Sequence, residues 1–292
     1  METPRITIVG SINMDLITSV SRVPEQGETF LGESFMVKPG GKGANQAVAA
    51  ARLGADVTMI GKVGDDSFGQ QLFQQLKNEG IHVEHIAVEK AASTGVANVI
   101  ISENDNRIMV VSGANQSVTQ DYLKQKKAQL LQSDLVLMQL EIPIETIKWC
   151  VDFCFENHIP LLLNPAPALD LPEDVWKKCK YITPNEEEAM KLFDNRLNDY
   201  EDQLIVTLGS KGARFKNHIV GSYPATVVDT TGAGDTFNGA LATYIALGLE
   251  VEEAMYKANI AASLAIEKMG AQEGMPNQEQ VEERCQLNGA NI

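Results

Sequence analysis

The chain has 292 residues, of which 44% are hydrophobic and 22% are charged, as in ordinary globular proteins. Its formal net charge of −15 argues against nucleic acid or an anionic membrane as a main partner. No apolar stretch approaches the roughly 20 residues of a membrane span. The N-terminus shows no basic, apolar leader and the four cysteines have no metal-binding spacing, so we expect a cytoplasmic protein with reduced thiols.

The first part of the chain combines short β-rich runs with helices. Hydrophobic periodicity, helix caps and turn residues predict these elements. In chain order they are a strand at 6–10, β-rich runs at 16–20 and 29–37, a helix at 44–53, a strand at 57–63, a helix at 68–79, and a hairpin whose runs at 96–102 and 107–111 flank a turn at 103–106.

From Thr119 onward, helices and strands alternate strictly. The predicted helices lie at 121–131, 143–157, 172–178, 186–193, 233–248, 251–269 and 278–285, and the predicted strands at 135–140, 160–164, 181–183 and 204–208. This alternation predicts an α/β fold with a doubly wound, mostly parallel central sheet flanked by helices. The β-rich segments at about 13–40 and 94–112 do not fit the alternation, and they predict a small β-sheet lid on a single domain spanning 1–292.

Polar residues or glycines follow nearly every apolar strand at once. In an open parallel sheet, ligands bind beyond the carboxyl ends of the strands. We therefore expect one ligand crevice along that edge, although each residue taken alone is more often a simple turn residue. The positions are 10–15, Glu141, Asn164, Asn185, 209–212 and Asp229.

The stretch 227–240 carries the strongest indication of chemistry. Two valines at 227–228 indicate a strand end, and the following glycines indicate a turn that opens a helix at about Gly232. The first amides of a helix point outward and, with the helix dipole, attract an anion, which can come close to Gly234 because it lacks a Cβ. Asp235 lies beside this anion site, where it could deprotonate a hydroxyl. In an isolated motif of this kind, an aspartate that merely complements the dipole is the more frequent interpretation.

A second glycine-rich stretch surrounds Lys42 at the start of a predicted helix. The chain has no Walker A loop and no dinucleotide fingerprint after its first strand, which argues against two common nucleotide-binding classes. Asn13, Asp15 and Asn45 offer donors and acceptors near the first strand end. Such a set suits a polyhydroxy ligand, because each sugar hydroxyl both donates and accepts. A turn carboxylate and an inward-facing helix residue are the plainer interpretations of Asp15 and Asn45.

Taken together, these motifs resemble those of the ribokinase-like (PfkB-type) carbohydrate kinases. The resemblance extends from Ile6 to Pro276, and two long signatures in the right order are far more specific than a lone glycine-aspartate motif. The matching segments are a sugar-binding segment at 10–15, a first signature at 40–47, an NxxE motif at 185–188, a nucleotide loop at 207–212 and a second signature at 229–237.

The resemblance implies transfer of the ATP γ-phosphoryl group to the 5-hydroxyl of D-ribose, giving D-ribose 5-phosphate. Asp235 would be the general base, and the amides of Gly232, Ala233 and Gly234 would form an anion hole. The implied sugar-binding residues are Ser11, Ile12, Asn13, Asp15, Gly40, Gly41, Lys42, Gly43, Ala44, Asn45, Glu141 and Asp235. The implied ATP-binding residues are Asn185, Thr207, Leu208, Gly209, Ser210, Lys211, Gly212, Gly234, Asp235 and Asn259.

The resemblance also implies two cations and a partner subunit. Glu188 would hold Mg²⁺ through water, and the lid would join two subunits as a homodimer. The residues implied for K⁺ are Asp229, Thr231, Ala265, Lys268, Gly270 and Gly274. The chain departs from the family at Gly274, where many members carry serine, and at 189–203, where members usually have another helix. A kinase for fructose, deoxyribose or adenosine and a non-catalytic sugar or nucleotide sensor remain the alternatives.

Overall fold

The protein is described here by a computed structural model that covers residues 2–103 and 105–287. The strands are β1 (Arg5–Val9), β2 (Asn13–Ser19), β3 (Ser34–Gly40), β4 (Asp56–Gly64), β5 (Ile86–Glu89), β6 (Gly95–Ser102), β7 (Asp105–Val111), β8 (Leu135–Met138), β9 (Leu161–Leu163), β10 (Tyr181–Ile182), β11 (Ile205–Thr207), β12 (Ala213–Phe215) and β13 (His218–Val220). The helices are α1 (Lys42–Arg52), α2 (Ser67–Asn78), α3 (Gln120–Lys124), α4 (Lys127–Leu130), α5 (Ile144–Glu156), α6 (Glu173–Lys178), α7 (Glu186–Phe193), α8 (Ala233–Ala246), α9 (Val251–Ala265) and α10 (Gln278–Leu287).

The central sheet has six parallel strands in the order β10-β9-β8-β1-β4-β5. Successive side chains of a strand point to opposite faces, so a sheet covered on both faces needs apolar residues throughout. On β8, Leu135 and Leu137 enter the core on one face, and Val136 and Met138 enter the core on the other. This confirms the predicted doubly wound sheet.

Helices α1 and α8 pack against each other unusually closely. A Cβ built on Gly239 of α8 would lie 2.6 Å from the carbonyl oxygen of Gln46 and 2.7 Å from the Cβ of Ala49, both on α1. The absence of a side chain at Gly239 therefore sets the distance between the two helices. The contact places the first turn of α1 beside the first turn of α8.

The predicted lid is a four-stranded sheet in the order β3-β2-β6-β7. Strands β2 and β6 are parallel, and the two outer pairs are antiparallel. Antiparallel pairing of β6 and β7 confirms the predicted hairpin, whose turn includes Asn104, a residue outside the described ranges. None of the helices in the described ranges is long and apolar enough to cross a membrane.

Several element predictions were wrong in detail. The helix predicted at 121–131 is two short helices, because the backbone leaves the helical region at Lys126. Strands β5, β12 and β13 have only three or four residues, too short to give a periodic signal. The short segment after α7 forms a 3₁₀-helix, Asp194–Tyr200, which returns the Tyr200 ring to the core against Phe193.

The strand predicted to end at 227–228 is absent from the structure. Val227 and Val228 are 60% and 52% exposed and lie in irregular backbone. The amides of Val228 and Asp229 donate to the carbonyl of Ile266, just after α9, rather than to a neighbouring strand. Asp229 therefore reaches the site from a loop, not from a strand end.

We expect Gly239→Ala to lower the free energy of unfolding by about 1–3 kcal/mol, because the added Cβ must push α1 away from α8. Urea unfolding measures this change. Gly221→Ala is the matched control, since a Cβ at Gly221 meets no atom within 4 Å. Equal stability of both variants would contradict close packing at Gly239.

Candidate active site

The residues that follow the central strands lie together at one edge of the sheet. Val9 of β1 pairs with Met138 of β8, which pairs with Leu163 of β9. Leu163 in turn pairs with Ile182 of β10, so these four strands end level with one another. Thr207 of β11 extends the edge through a parallel bridge to Asn185. We call this edge the rim; its polar residues are Ser11, Gln139, Glu141, Asn164, Thr183 and Asn185.

Asp235 lies in the first turn of α8 and is 9% exposed. Its two carboxylate oxygens accept hydrogen bonds from two side-chain amides of α1. Asn45 Nδ2 donates to Oδ2 at 2.9 Å, and Gln46 Nε2 donates to Oδ1 at 3.0 Å. The sequence predicted Asn45 at the site but assigned no role to Gln46. The close packing of α1 on α8 therefore fixes both oxygens of the predicted base.

A second layer of buried amides supports these two donors. Gln139 Nε2 donates to Gln46 Oε1 at 2.6 Å, and Gln272 Nε2 donates to Asn45 Oδ1 at 2.8 Å. Gln46 Nε2 also donates to Asn164 Oδ1 at 3.1 Å. Sequence reasoning placed Asn164 on the rim but missed Gln139 and Gln272, which have no motif or periodic signal of their own.

The start of α8 has the features of an anion site. Gly232 is its N-cap, with a left-handed backbone at φ 79°, and a Cβ on Gly234 would meet no atom within 4 Å. The helix start is therefore open toward a ligand at Gly234. The Ala233 amide already donates to the carbonyl of Thr230 at 3.2 Å, so it must be shared with an external anion or released to it.

The predicted sugar segment is held by a residue that the sequence did not indicate. Asn115 Nδ2 donates to Asn13 Oδ1 at 2.7 Å, and Asn115 Oδ1 accepts from the Ile12 amide at 3.0 Å. These two bonds fix the orientation of the buried Asn13 amide. The remaining predicted glycines and alanines of this region, Gly40, Gly41, Gly43 and Ala44, lie between the end of β3 and the first turn of α1.

Three carboxylates surround the single lysine of this region. Burial, followed by the negative charges of Glu141 and Asp235, raises the pKa of Asp15 to about 7. Burial works against the charge of Lys42, but the nearby carboxylates, led by Asp235 and Glu141, outweigh it and raise the Lys42 pKa. Glu141 accepts from the Ser11 hydroxyl and, at 3.3 Å, from the Lys42 amide. The site thus concentrates negative charge around one cation.

A cavity of about 630 Å³ lies beside the start of α8. Six residues predicted to bind nucleotide line it: Thr207, Gly209, Ser210, Gly212, Gly234 and Asn259. Its other lining residues are mostly apolar and include Tyr223, Pro224, Ala225 and Phe237. A largely apolar cavity with a few polar groups is typical of a small-molecule site. Two predicted residues are placed elsewhere: Leu208 packs in the core, and Lys211 is exposed outside the lining.

Asn185 and Glu188 form a capping box at the start of α7. The Asn185 side chain accepts from the Glu188 amide at 2.8 Å, and Glu188 Oε2 accepts from the Asn185 amide at 2.9 Å. Burial raises the pKa of Glu188. The cap has a structural role of its own, which fixes the Glu188 carboxylate at the rim.

The residues predicted to hold K⁺ come from two loops that contact each other. Asp229 accepts from the backbone and hydroxyl of Thr231 and, at 2.9 Å, from the Gly270 amide. Burial alone would raise the pKa of Asp229, but these donors lower it. A Cβ on Gly274 would overlap the carbonyl oxygen of Ala265, so a serine would not fit without movement.

The same region is tied to the lid and to α1. Lys38 of β3 forms an ion pair with Glu273 at 2.5 Å. Arg52 of α1 donates to the carbonyls of Gln272 and Met275, at 2.6 and 3.0 Å, and pairs with Glu79. Lys268 is exposed. Within the described ranges, no group of three or more His, Cys, Asp or Glu side chains could hold a metal ion.

Comparison with known proteins gives one consistent result. Residues 3–278 match the family described as pfkB family carbohydrate kinase. The chain is 44% identical over 287 residues to the ribokinase of Bacillus subtilis (strain 168), covering 95% of this chain and 98% of that protein. It is also 36% identical over 307 residues to a deoxyribokinase of Salmonella typhi, covering 97% of this chain and 99% of that protein.

Solved structures agree with the sequence comparison. The structure of Arabidopsis thaliana ribokinase complexed with ribose and ATP superposes with a TM-score of 0.88 at 28% identity, covering 97% of this chain and 98% of that chain. The ribokinase from Thermotoga maritima superposes with a TM-score of 0.87 at 31% identity, covering 96% of this chain and 99% of that chain. The chain therefore belongs to the pfkB family of carbohydrate kinases, as its signatures predicted.

Proposed function

We propose that the protein transfers the γ-phosphoryl group of ATP to O5 of D-ribose. One observation carries this proposal: the Asp235 carboxylate is held at the start of α8, between the polar rim and the apolar cavity. The relatives named ribokinase, and the neighbour that binds ribose and ATP, favour these two substrates. The related deoxyribokinase keeps 2-deoxyribose as the alternative sugar, and fructose and adenosine follow.

Asp235 acts as the general base in this proposal. Phosphoryl transfer passes through a loose transition state, so positioning and charge stabilisation dominate the catalysis. The hydroxyl needs to lose its proton to the carboxylate only as bonding to phosphorus advances. The amides of Gly232, Ala233 and Gly234 and the dipole of α8 stabilise the charge on the moving phosphoryl group.

The sugar lies between the end of β1 and the first turn of α1. Asn13, Asp15, Asn45 and Glu141 offer it oriented acceptors and donors, together with Ser11, Ile12 and the backbone of 40–44. The Lys42 ammonium, kept charged by its carboxylate neighbours, neutralises the transferring phosphate. Its predominantly acidic surroundings also disfavour binding of anionic sugars before ATP is present.

The residues present fit the two cations of the family. Glu188 offers a carboxylate whose position is fixed by its cap, and Mg²⁺ is commonly held by one carboxylate, water and substrate phosphates. Asp229, Thr231, Ala265, Lys268, Gly270 and Gly274 would hold K⁺, chiefly through oxygen atoms of the backbone. Bound Mg²⁺ would neutralise charge on the ATP phosphates, and K⁺ would stabilise the loops beside the anion site.

The lid closes over the sugar and joins two subunits in this proposal, on a single domain spanning 1–292. Edge strand β7 is exposed along its whole described length and carries the apolar run Ile108–Val111. Phe35 and Val37 of β3 are also exposed. An unpaired, apolar edge strand is normally covered in a native protein, and a second copy of the lid would cover it.

The proposal predicts ribose-dependent release of ADP in the presence of Mg²⁺, with higher activity when K⁺ is added. A coupled assay with ribose, 2-deoxyribose, fructose and adenosine, with and without K⁺, measures this. Ribose should give the highest kcat/KM. Higher values for another member of the panel would assign that substrate, and ATP and sugar binding without turnover would favour a sensor.

We expect Asp235→Asn to lower kcat by about two orders of magnitude or more, because the variant keeps the shape of the site but cannot accept the proton. Ribose should still bind, as measured by calorimetry. Asp121→Asn is the control, since Asp121 is exposed on α3. Normal turnover by the Asp235 variant would show that another group is the base.

Asp15 should make both stability and sugar affinity depend on pH. Its pKa of about 7 exceeds its ordinary value of 3.8, so between these values the folded protein holds a proton that the unfolded chain has lost. Its contribution to stability is therefore present below about pH 4 and is lost by about pH 7. Relative to wild type, Asp15→Asn should gain stability as the pH rises through this window, and it should bind ribose more weakly.

Urea unfolding at about pH 5 and about pH 8 tests the linkage at Asp15, with Asp121→Asn as the matched exposed control. The difference in unfolding free energy between Asp15→Asn and wild type should be larger at the higher pH. A difference that does not change with pH would show that Asp15 has an ordinary pKa in the folded protein.

We expect Ile108→Lys to convert a dimer into a monomer, because a lysine in the apolar run of β7 opposes burial between two lids. Sedimentation velocity at micromolar concentration measures the change. Val88→Lys is the control, since Val88 is equally exposed on β5, outside the lid. A monomeric wild-type protein would exclude the proposed dimer.

A further inference from the structure

We propose that two chains of side-chain amides converge on Asp235, and that Gln139 and Gln272 are positioning residues for the reaction although neither contacts the carboxylate. We call these chains the amide relays. The inference rests on the proposed function, because it explains how the proposed base is held. Each relay is argued from the direction in which its amides donate.

The first relay runs from Gln139 through Gln46 to Asp235. An amide side chain donates only from its nitrogen and accepts only at its oxygen. Gln139 Nε2 donates to Gln46 Oε1 at 2.6 Å, which leaves Gln46 Nε2 to face Asp235 Oδ1 at 3.0 Å. Gln46 and Gln139 are both 0% exposed, so bulk water cannot replace either partner.

A backbone carbonyl fixes the direction of this first relay. Asn164 Nδ2 donates to the carbonyl oxygen of Thr183 at 2.9 Å, and a carbonyl can only accept. Asn164 Oδ1 must therefore face Gln46, and it accepts from Gln46 Nε2 at 3.1 Å. The orientation of the Gln46 amide follows from the main chain and not from an arbitrary choice between nitrogen and oxygen.

The second relay runs from Gln75 through Gln272 and Asn45 to Asp235. Gln75 Nε2 donates to Gln272 Oε1 at 2.8 Å, and Gln272 Nε2 donates to Asn45 Oδ1 at 2.8 Å. Asn45 Nδ2 then donates to Asp235 Oδ2 at 2.9 Å. Arg52 fixes the backbone of Gln272 from α1. Every amide in this series has its donor end toward the carboxylate.

The common direction of both relays has an electrostatic consequence. Aligned amide dipoles strengthen one another, and a buried carboxylate gains more from them than it would in water. Reversing Gln46 or Asn45 would place a carbonyl oxygen against a carboxylate oxygen. Gln139 and Gln272 prevent this reversal, so they act on the base through their neighbours.

Gln139 also has a feature that stability alone does not explain. Its Oε1 is buried and has no hydrogen-bond partner among the described residues. Leaving a polar atom buried and unpaired is unfavourable, and an apolar side chain of equal length would avoid the penalty. The donor of Gln139, which orients Gln46, accounts for a glutamine at this position.

Gln139→Met removes the donor and the unpaired oxygen at nearly constant volume. We expect kcat to fall about tenfold while the KM values for ribose and ATP change by less than about twofold, since only the base is disturbed. The free energy of unfolding should stay equal or increase. Gln74→Met on α2, which removes an exposed amide bond to Asn78, should change neither quantity. Unchanged kcat in Gln139→Met, or a loss of stability that accounts for the loss of activity, would overturn the proposal.

A mutant cycle tests whether Gln139 acts through Gln46. In a Gln46→Met background, the Gln139→Met change should lower kcat by less than about twofold, because the relay has already been interrupted. Gln272→Met should still lower kcat severalfold in that background, since it belongs to the other relay. Independent, multiplicative effects of Gln46 and Gln139 would overturn the first relay.

Neutron diffraction from deuterated crystals of the wild-type protein separates this inference from the proposed function. Neutron maps show deuterons, which distinguish an amide nitrogen from its oxygen. The deuterons of Gln46 Nε2 should point at Asp235 and Asn164, and those of Asn45 Nδ2 at Asp235. Deuterons pointing the other way would overturn the relays whatever the enzyme phosphorylates, whereas failure to phosphorylate any sugar in the panel would overturn only the proposed function.

Discussion

The contact between α1 and α8 is the constraint on which the site depends. Each helix supplies only part of the arrangement: α8 carries Asp235 and the open amides, whereas α1 carries Asn45 and Gln46. Gly239 allows the two helices to approach until backbone and Cβ atoms are in direct contact. At that distance two short side-chain amides reach both oxygens of one carboxylate. A rigid pair of helices is a more precise support than loops, and catalytic geometry tolerates little displacement.

Charge in the site is arranged locally and against the sign of the whole molecule. A protein with a net charge of −15 repels anions at long range, so phosphate groups must be held by nearby donors. Lys42, the amides at the start of α8 and bound cations supply them. The three carboxylates around Lys42 have an energetic cost, which is visible in the raised pKa of Asp15. Such conflicts between stability and local charge are typical of functional sites.

Much of this arrangement could be predicted from the sequence, for physical reasons. Glycines around Lys42 and Asp235 have few alternative explanations, and the rule for parallel sheets placed the polar strand ends on one rim. The relays could not be predicted, because Gln139 and Gln272 are far apart in the chain and gain meaning only when packing brings them to Gln46 and Asn45. The valines at 227–228 misled, since a β-branched residue favours a strand only where a neighbouring strand exists to pair with it.

The ion pair between Lys38 and Glu273 has a consequence for how cation dependence is measured. It joins β3 of the lid to a residue adjacent to Gln272, and both side chains are about one-third exposed. Dissolved salt weakens such a pair by screening, whatever the identity of the ions. Added potassium chloride therefore acts on this tether as well as on any specific site. Exchanging potassium for sodium or a larger organic cation at constant ionic strength separates the two contributions.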